Sequence, residues 1–179
     1  MQNSRYSSTG SRVTWLIIIN IIIYLFQQTT AGTMVPYSNP VPVINQMPYA
    51  TYWFGLTPYL VMTKFYVWQL FTYMFLHGDF VHIFFNMYAL LLFGMPVEQL
   101  WGSKKFLIYY FFTGIGAGIT ILVMNLVLGD IGFFIPTIGA SGAVFGLLLA
   151  FGMLFPDAEL LVFFFVPMKA KYLVIVYGG

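Results

Sequence analysis

Three polar residues, His77, His82 and Asn86, lie in or beside an otherwise apolar stretch of the chain. His82 and Asn86 have the i, i+4 spacing that places two side chains on one face of a helix. In membrane helices such a pair commonly forms a hydrogen-bonding seam between helices, and this interpretation stays open. The chemical alternative is a pair of hydrogen-bond donors for an anionic intermediate. His77 is expected at the helix entrance, as a cap or loop partner.

A second candidate is Ser141, in the segment Gly-Ala-Ser-Gly-Ala at residues 139–143, which opens an apolar run. A serine at a helix start is commonly an N-cap, and small residues such as Gly142 and Gly146 permit close helix packing. Alternatively, the Ser141 hydroxyl is a nucleophile beside free backbone N–H groups at the positive end of a helix dipole. These donors would stabilise an anion formed next to it.

The composition limits the chemistry that is available. The 179 residues are 60% hydrophobic and 7% charged, against roughly 25% charged residues in an average soluble domain. A net charge of +2 without a basic stripe argues against nucleic-acid binding. The absence of cysteine excludes disulfides and thiolate metal sites, and two histidines cannot form a histidine-rich metal cluster. Any chemistry must therefore use hydroxyls, amides, the two histidines or the few carboxylates.

The apolar runs predict an all-α, polytopic membrane helix bundle with four complete spans and the start of a fifth. The predicted spans are residues 13–26, 80–98, 106–128 and 141–155, with the fifth beginning near Ala170. Residues 29–64, rich in Pro, Asn and Tyr, predict a long first loop. Residues 52–75 suit short helices half in the membrane interface, anchored by Trp53 and Trp68. A cleaved signal peptide is the alternative for the first run.

The basic residues predict the orientation of the bundle. Six of the seven fall in the N-terminal leader and in the connections after the second and fourth spans: Arg5, Arg12, Lys104, Lys105, Lys169 and Lys171. The positive-inside rule then places the N-terminus in the cytoplasm and the first loop outside. The expected organisation is a cytoplasmic leader, 1–12, followed by a membrane domain, 13–179. A bacterial inner membrane is the expected location, and a homo-oligomer is left open.

This topology joins the two candidate features, because the second and fourth spans both enter from the outer side. His82, Asn86 and Ser141 then lie at a similar depth. A hydroxyl, an imidazole and a carboxamide gathered there would suit acyl transfer, with one nucleophile and several oxyanion donors.

The motifs resemble those of the rhomboid intramembrane serine proteases, from about residue 68 to residue 146. The resemblance is carried in order by Trp68, by the spaced polar residues His77, His82 and Asn86, by Glu-Gln-Leu-Trp-Gly at residues 98–102, and by Gly-Ala-Ser-Gly at 139–142. It implies a six-helix bundle in which a short fourth helix lifts the serine into a water-filled cavity open to the outside. It also implies cleavage of transmembrane segments of other proteins, without metal or cofactor.

By the same resemblance, Ser141 is the nucleophile, and its backbone N–H, the His82 side chain and the Asn86 amide form the oxyanion hole. Gly139 and Gly142 complete the serine motif. Glu98 matches a structural acid that ties helix ends together, and Trp68 belongs to the family's half-embedded loop. Phe145 falls where the family places an aromatic ring against its catalytic histidine.

Two departures from the family pattern stand out. Gln69 follows Trp68 where many members have arginine. The family's general base is a histidine in the sixth helix, and none of the 38 residues after Ser141 is a histidine. The lysines at 169 and 171 are too distant along the fourth helix to replace it. His82 would leave the oxyanion hole if it served as the base, and His77 could serve only if the first loop folded over the site.

The lack of a base histidine after Ser141 has three explanations. We expect an N-terminal portion of a protease whose remaining helices carry the histidine; the alternatives are an inactive, helix-binding pseudoprotease and a split enzyme completed by a second chain. A channel or transporter is disfavoured because no charged pair falls at mid-membrane. The five acidic residues lie at span ends or in connections, which also argues against an aspartyl protease. Transmembrane protein substrates and the lipid bilayer are the expected partners.

Overall fold

A computed structural model describes residues 10–39, 45–129, 131–162 and 166–172. In chain order its elements are α1 (Arg12–Thr29), β1 (Met34–Pro36), β2 (Gln46–Pro48), α2 (Tyr49–Phe54), α3 (Pro58–Lys64), α4 (Gln69–Thr72), α5 (Phe80–Trp101), α6 (Ser103–Leu128), α7 (Ser141–Leu154), β3 (Glu159–Val162) and β4 (Val166–Lys169). Short 3₁₀ turns at Tyr73–Phe75 and Ile131–Phe134 precede α5 and α7. The fold is a helical membrane bundle with two small hairpins.

Three helices among the described residues, α1, α5 and α6, are long and apolar enough to cross a membrane. The fourth predicted span, α7, has 14 residues, or about 21 Å at 1.5 Å per residue, against roughly 30 Å of hydrocarbon. Its start can therefore lie within the membrane rather than at its surface. Residues 170–172 are helical where the fifth span was expected, and residues 173–179 lie outside the described part.

Small residues let α7 pack closely against its neighbours, as the sequence predicts. A β-carbon on Gly142 would lie 2.5 Å from the Ala117 side chain, and one on Gly146 would lie 2.6 Å from Thr113. The Tyr109 hydroxyl donates a 2.8 Å hydrogen bond to the Gly146 carbonyl. These contacts fix the position of α7 against α6.

The first loop is held together by side-chain hydrogen bonds to the backbone. Gln69 is fully buried, where its Nε2 donates to the Tyr52 carbonyl at 2.9 Å and its Oε1 accepts from the Thr57 amide at 3.1 Å. The Trp68 indole N–H donates to the Trp53 carbonyl at 2.8 Å. Gln69 thus supplies hydrogen bonds within the loop at the position where many members of the resembling family have arginine.

Glu98 gathers three elements at the other end of α5. Its Oε1 accepts from the Arg12 amide at 2.9 Å and the Ser103 hydroxyl at 2.6 Å. Its Oε2 accepts from the Val13 amide at 3.1 Å and the Ser11 hydroxyl at 2.6 Å. The carboxylate therefore caps α1 and ties it to the start of α6. Because α1 begins in this buried contact, it is part of the bundle.

Two antiparallel hairpins depart from the all-helical expectation. One pairs Met34 with Pro48 within the first loop, and the other pairs Glu159 with Lys169 after α7. The apolar run of the second hairpin carries no Asn-Gly or Asp-Gly turn signal. The sequence of this run therefore reads as a buried apolar segment, and nothing in it indicates that two strands pair there.

Candidate functional site

His82 lies in the first turn of α5, and its neighbours fix its tautomer. The Asp79 carboxylate caps the helix by accepting from the His82 amide at 2.8 Å. The backbone N–H of Gly78 donates to His82 Nδ1 at 3.3 Å. Because Nδ1 is an acceptor, the proton of the neutral imidazole is on Nε2. His82 therefore presents an N–H donor on the side of the ring away from Gly78.

That donor faces the segment leading into α7. Gly139 has φ +122°, and a β-carbon there would lie 2.7 Å from His82 Nε2. The position requires glycine for its backbone conformation and for the space that the imidazole occupies. The Gly139 amide donates to the Tyr73 carbonyl at 2.9 Å. The starts of α5 and α7 thus meet at His82 and Gly139, as the shared depth of the two helix entrances predicts.

Ser141 is the first helical residue of α7, with Ala140 at the N-cap and no side chain capping the end. The interpretation of Ser141 as an N-cap is therefore wrong. Its side chain is exposed, and among the described residues its hydroxyl has no hydrogen-bond partner. The first turn of any helix leaves backbone N–H groups free, at the positive end of the helix dipole. An exposed hydroxyl and anion-stabilising donors coincide here, two residues from Gly139.

Asn86 lies one turn below His82 and is 7% exposed. Its Nδ2 donates to the His82 carbonyl at 2.9 Å, within the same helix. A carboxamide nitrogen carries two N–H groups, so the second is available to another acceptor. The observed bond joins His82 and Asn86 within one helix, so it is not the hydrogen-bonding seam between two helices that their spacing could have indicated.

His77 is enclosed more fully than a helix-entrance residue is expected to be. It is 0% exposed, and neither ring nitrogen has a hydrogen-bond partner among the described residues. Its ring makes an edge contact with His82 at 5.1 Å between centroids. The Gln27 amide holds the His77 backbone, donating to its carbonyl at 2.8 Å and accepting from its N–H at 3.1 Å. Burial lowers the pKa of His77 to about 4, and the nearby His82 adds to this lowering. The Phe75 backbone makes a smaller contribution that raises the pKa.

The sequence of the chain matches the model of a known protein family. The family model described as "Rhomboid domain" matches residues 64–179, well over half of the chain. The chain belongs to the rhomboid family.

Relatives of this rhomboid chain occur in bacteria and in mitochondria. It is 34% identical over 116 residues to "Rhomboid protein 1, mitochondrial" of Saccharomyces cerevisiae, covering 63% of this chain and 33% of that protein. It is 28% identical over 141 residues to "Putative rhomboid protease YdcA" of Bacillus subtilis, covering 75% and 58%. It is 40% identical over 81 residues to "Rhomboid protease GluP" of the same species, covering 45% and 14%. The chain thus spans less than two thirds of the length of each of these relatives.

Tyr73 is a site residue that the sequence reasoning missed. It is 2% exposed, its hydroxyl donates to the Gly114 carbonyl at 2.7 Å, and its own carbonyl receives the Gly139 amide. Tyr73 therefore bonds to α6 through its hydroxyl and to the segment before Ser141 through its backbone carbonyl. Nothing in the spacing of aromatic residues could have singled out this tyrosine.

The remaining predicted motif residues occupy three further positions in the fold. Glu98 follows His82 by 16 residues, or roughly 24 Å along α5, and so belongs to the opposite end of the bundle. Trp68 lies in the first loop, and Phe145 is 47% exposed one turn after Ser141 on α7. Within the described ranges, no group of three or more His, Asp or Glu side chains is placed to hold a metal ion.

Proposed function

We propose that the chain is the serine-bearing part of an intramembrane serine endopeptidase that cleaves transmembrane segments of other proteins. The observation that carries the proposal is the His82 Nε2–H facing Gly139, two residues before the exposed hydroxyl of Ser141. Nucleophile and oxyanion donor then come from two helix starts that the fold brings together.

In the proposed reaction, Ser141 Oγ gives its proton to the general base and attacks the carbonyl carbon of the scissile peptide, whose C=O double bond opens to an oxyanion. When the oxyanion collapses, the C–N bond breaks and the base returns the proton to the leaving amine. Water then hydrolyses the acyl-enzyme ester and frees Ser141. The negative charge on the resulting oxyanion is stabilised by the Ser141 N–H, the His82 Nε2–H and the free N–H of the Asn86 carboxamide. The backbone donor is in place before substrate binds. Gly78 keeps His82 in the tautomer that donates, so these groups need little rearrangement during the reaction.

A membrane segment is the substrate class that the setting favours. Ser141 begins a helix too short to cross the bilayer, so its hydroxyl can lie below the membrane surface. A peptide bond becomes reachable there only when a transmembrane helix unwinds locally, since a helix bonds its own carbonyls. The proposed partners are therefore transmembrane proteins in a lipid bilayer.

Cleavage also requires a general base for Ser141. The chain has two histidines; His82 uses Nδ1 to accept from Gly78, and the low pKa of His77 makes it a weak base. The proposal therefore requires a base in addition to these two residues. Without one, the same architecture would recognise membrane helices without cutting them, and this pseudoprotease is the second candidate function.

The proposed setting keeps the predicted topology: a cytoplasmic leader at 1–12, a membrane domain over 13–179 and a bacterial plasma membrane. A reporter enzyme fused at the N-terminus tests the orientation. Reporter activity restricted to the cytoplasm supports it, and activity on the outer side contradicts it.

The test of function is cleavage of a transmembrane peptide by the product of the complete native gene, reconstituted in vesicles. Ser141→Ala should abolish cleavage, and Ser38→Ala, which removes an exposed serine of the first loop, should not change it. His82→Ala should lower the rate by about 10²–10³, the usual loss for one oxyanion donor. Binding of the peptide without cleavage by the unmodified protein would favour the pseudoprotease. Cleavage that persists in Ser141→Ala would contradict the serine assignment.

A further inference from the structure

A groove runs from the end of α5 along the first three turns of α6. Its volume is about 400 Å³, and its lining residues are Trp101, Lys105, Ile108, Tyr109 and Phe112. The spacing of residues 105, 108, 109 and 112 is that of one helix face. Ile108, Tyr109 and Phe112 thus form a row along one face of α6, and Lys105 lies at the end of the row nearer the helix start.

The apolar part of the groove has exposed side chains on its outer side and a tyrosine held in place on its inner side. Ile108 is 60% exposed and Phe112 is 74% exposed, so both side chains meet whatever surrounds the protein. Tyr109 is held from behind by its hydrogen bond to the Gly146 carbonyl and by an edge contact with Trp101 at 5.2 Å between centroids. The surface therefore has a fixed shape that an extended hydrocarbon chain fits.

The end of the groove near Trp101 is positively charged and polar. Lys105 is exposed and has no ion-pair partner among the described residues. It lies in the first turn of α6, whose N-terminus has no side-chain cap; free amides and the helix dipole favour an anion there. The nearby carboxylate of Glu98 is buried and already accepts four hydrogen bonds.

From this charge complementarity we propose that the groove binds an anionic phospholipid. The phosphate would lie against Lys105 and the first turn of α6, with the Trp101 ring at headgroup level. One acyl chain would follow Ile108, Tyr109 and Phe112 toward the membrane centre. The predicted orientation supports this occupant, because the cytoplasmic leaflet carries anionic lipids and attracts lysines near its surface.

The test uses the complete native protein in phosphatidylcholine vesicles that contain a minor fraction of phosphatidylglycerol. Bromine atoms on the acyl chains of one lipid at a time quench nearby tryptophans, and the signal of Trp101 is isolated by subtracting that of Trp101→Phe. We expect brominated phosphatidylglycerol to bind at Trp101 about fivefold more tightly than brominated phosphatidylcholine.

Lys105→Gln should reduce this preference to near unity, whereas Lys104→Gln, the neighbouring lysine that does not line the groove, should retain most of it. Ile108→Trp, which fills the groove, should reduce quenching by both lipids at Trp101, measured against an Ile108→Trp, Trp101→Phe background. Circular dichroism confirms that each variant is folded. Equal quenching by the two lipids in the unmodified protein, or equal losses in the two lysine variants, would overturn the proposal.

Discussion

Removing Glu98 gives the sharpest prediction for the stability of the bundle, because its four hydrogen bonds fall into two matching pairs. Each carboxylate oxygen receives one backbone N–H and one serine hydroxyl, at distances of 2.6–3.1 Å. A serine hydroxyl can rotate to find another partner or to accept a bond. A backbone N–H cannot, so the two amides of Arg12 and Val13 determine the cost.

Each buried donor that loses its acceptor costs about 1–3 kcal/mol. Glu98→Ala leaves both amides unpaired and should lower the free energy of unfolding by about 2–6 kcal/mol. Glu98→Gln keeps one oxygen acceptor but places an NH₂ group against the other amide, so it should cost about half as much, 1–3 kcal/mol. Gln99→Ala, at the exposed neighbouring position, should stay within about 0.5 kcal/mol of the unmodified protein.

The measurement is unfolding in mixed micelles with increasing sodium dodecyl sulfate, followed by the loss of helical circular dichroism. Glu98 lies at the other end of α5 from His82, so the cleavage rate per folded molecule should change little. A stability loss for Glu98→Gln equal to that of Glu98→Ala would refute the reasoning from individual amides. Losses within about 0.5 kcal/mol for both variants would show that the capping contact does not support the fold.

Two further predictions concern the residues around His82. The pKa of His77 falls from 6.5 to about 4 on folding, so between these pH values the unfolded chain binds more protons than the folded chain. The free energy of unfolding should therefore be highest above pH 6.5 and fall by up to about 3 kcal/mol toward pH 4. His77→Gln should remove this part of the slope in pH-dependent unfolding, and an unchanged slope would contradict the shift. Gly139→Ala should displace the His82 ring and reduce the cleavage rate by about 10²–10³. The control Gly116→Ala, at a helical position with open space around it, should leave the rate unchanged. Equal rates in the two glycine variants would rule out a role for the close contact between residue 139 and His82.

The positions of the long helices could be predicted from the sequence because apolar runs of membrane length have few other solutions. The second span was expected to begin at residue 80, where α5 begins, and Ser141 was expected to open a helix, as it does in α7. The meeting of these two helix starts followed from topology alone, since both enter from the same side of the membrane. The order and direction of the spans are therefore enough to group His82 and Ser141 in one candidate site.

Other features of the site depend on contacts between residues far apart in the chain. The tautomer of His82 is set by the amide of Gly78, and the Tyr73 carbonyl holds Gly139 across 66 residues of sequence. Neither contact has a composition or spacing signature. The enclosure of His77 likewise results from tertiary packing, which no local pattern encodes. Residue types and spacing thus indicate the chemical groups of the site, whereas tertiary contacts determine their orientation.

The proposed role of Ser141 as the nucleophile, at the junction of α5 and α7, is tested most directly by covalent labelling. The complete native protein in vesicles is treated with a fluorophosphonate, digested, and mapped by mass spectrometry. We expect one phosphonylated serine, Ser141, with labelling that is slower in His82→Ala and absent after heat denaturation. An active protease that carries no adduct on Ser141, or that is labelled equally at Ser38, would contradict it.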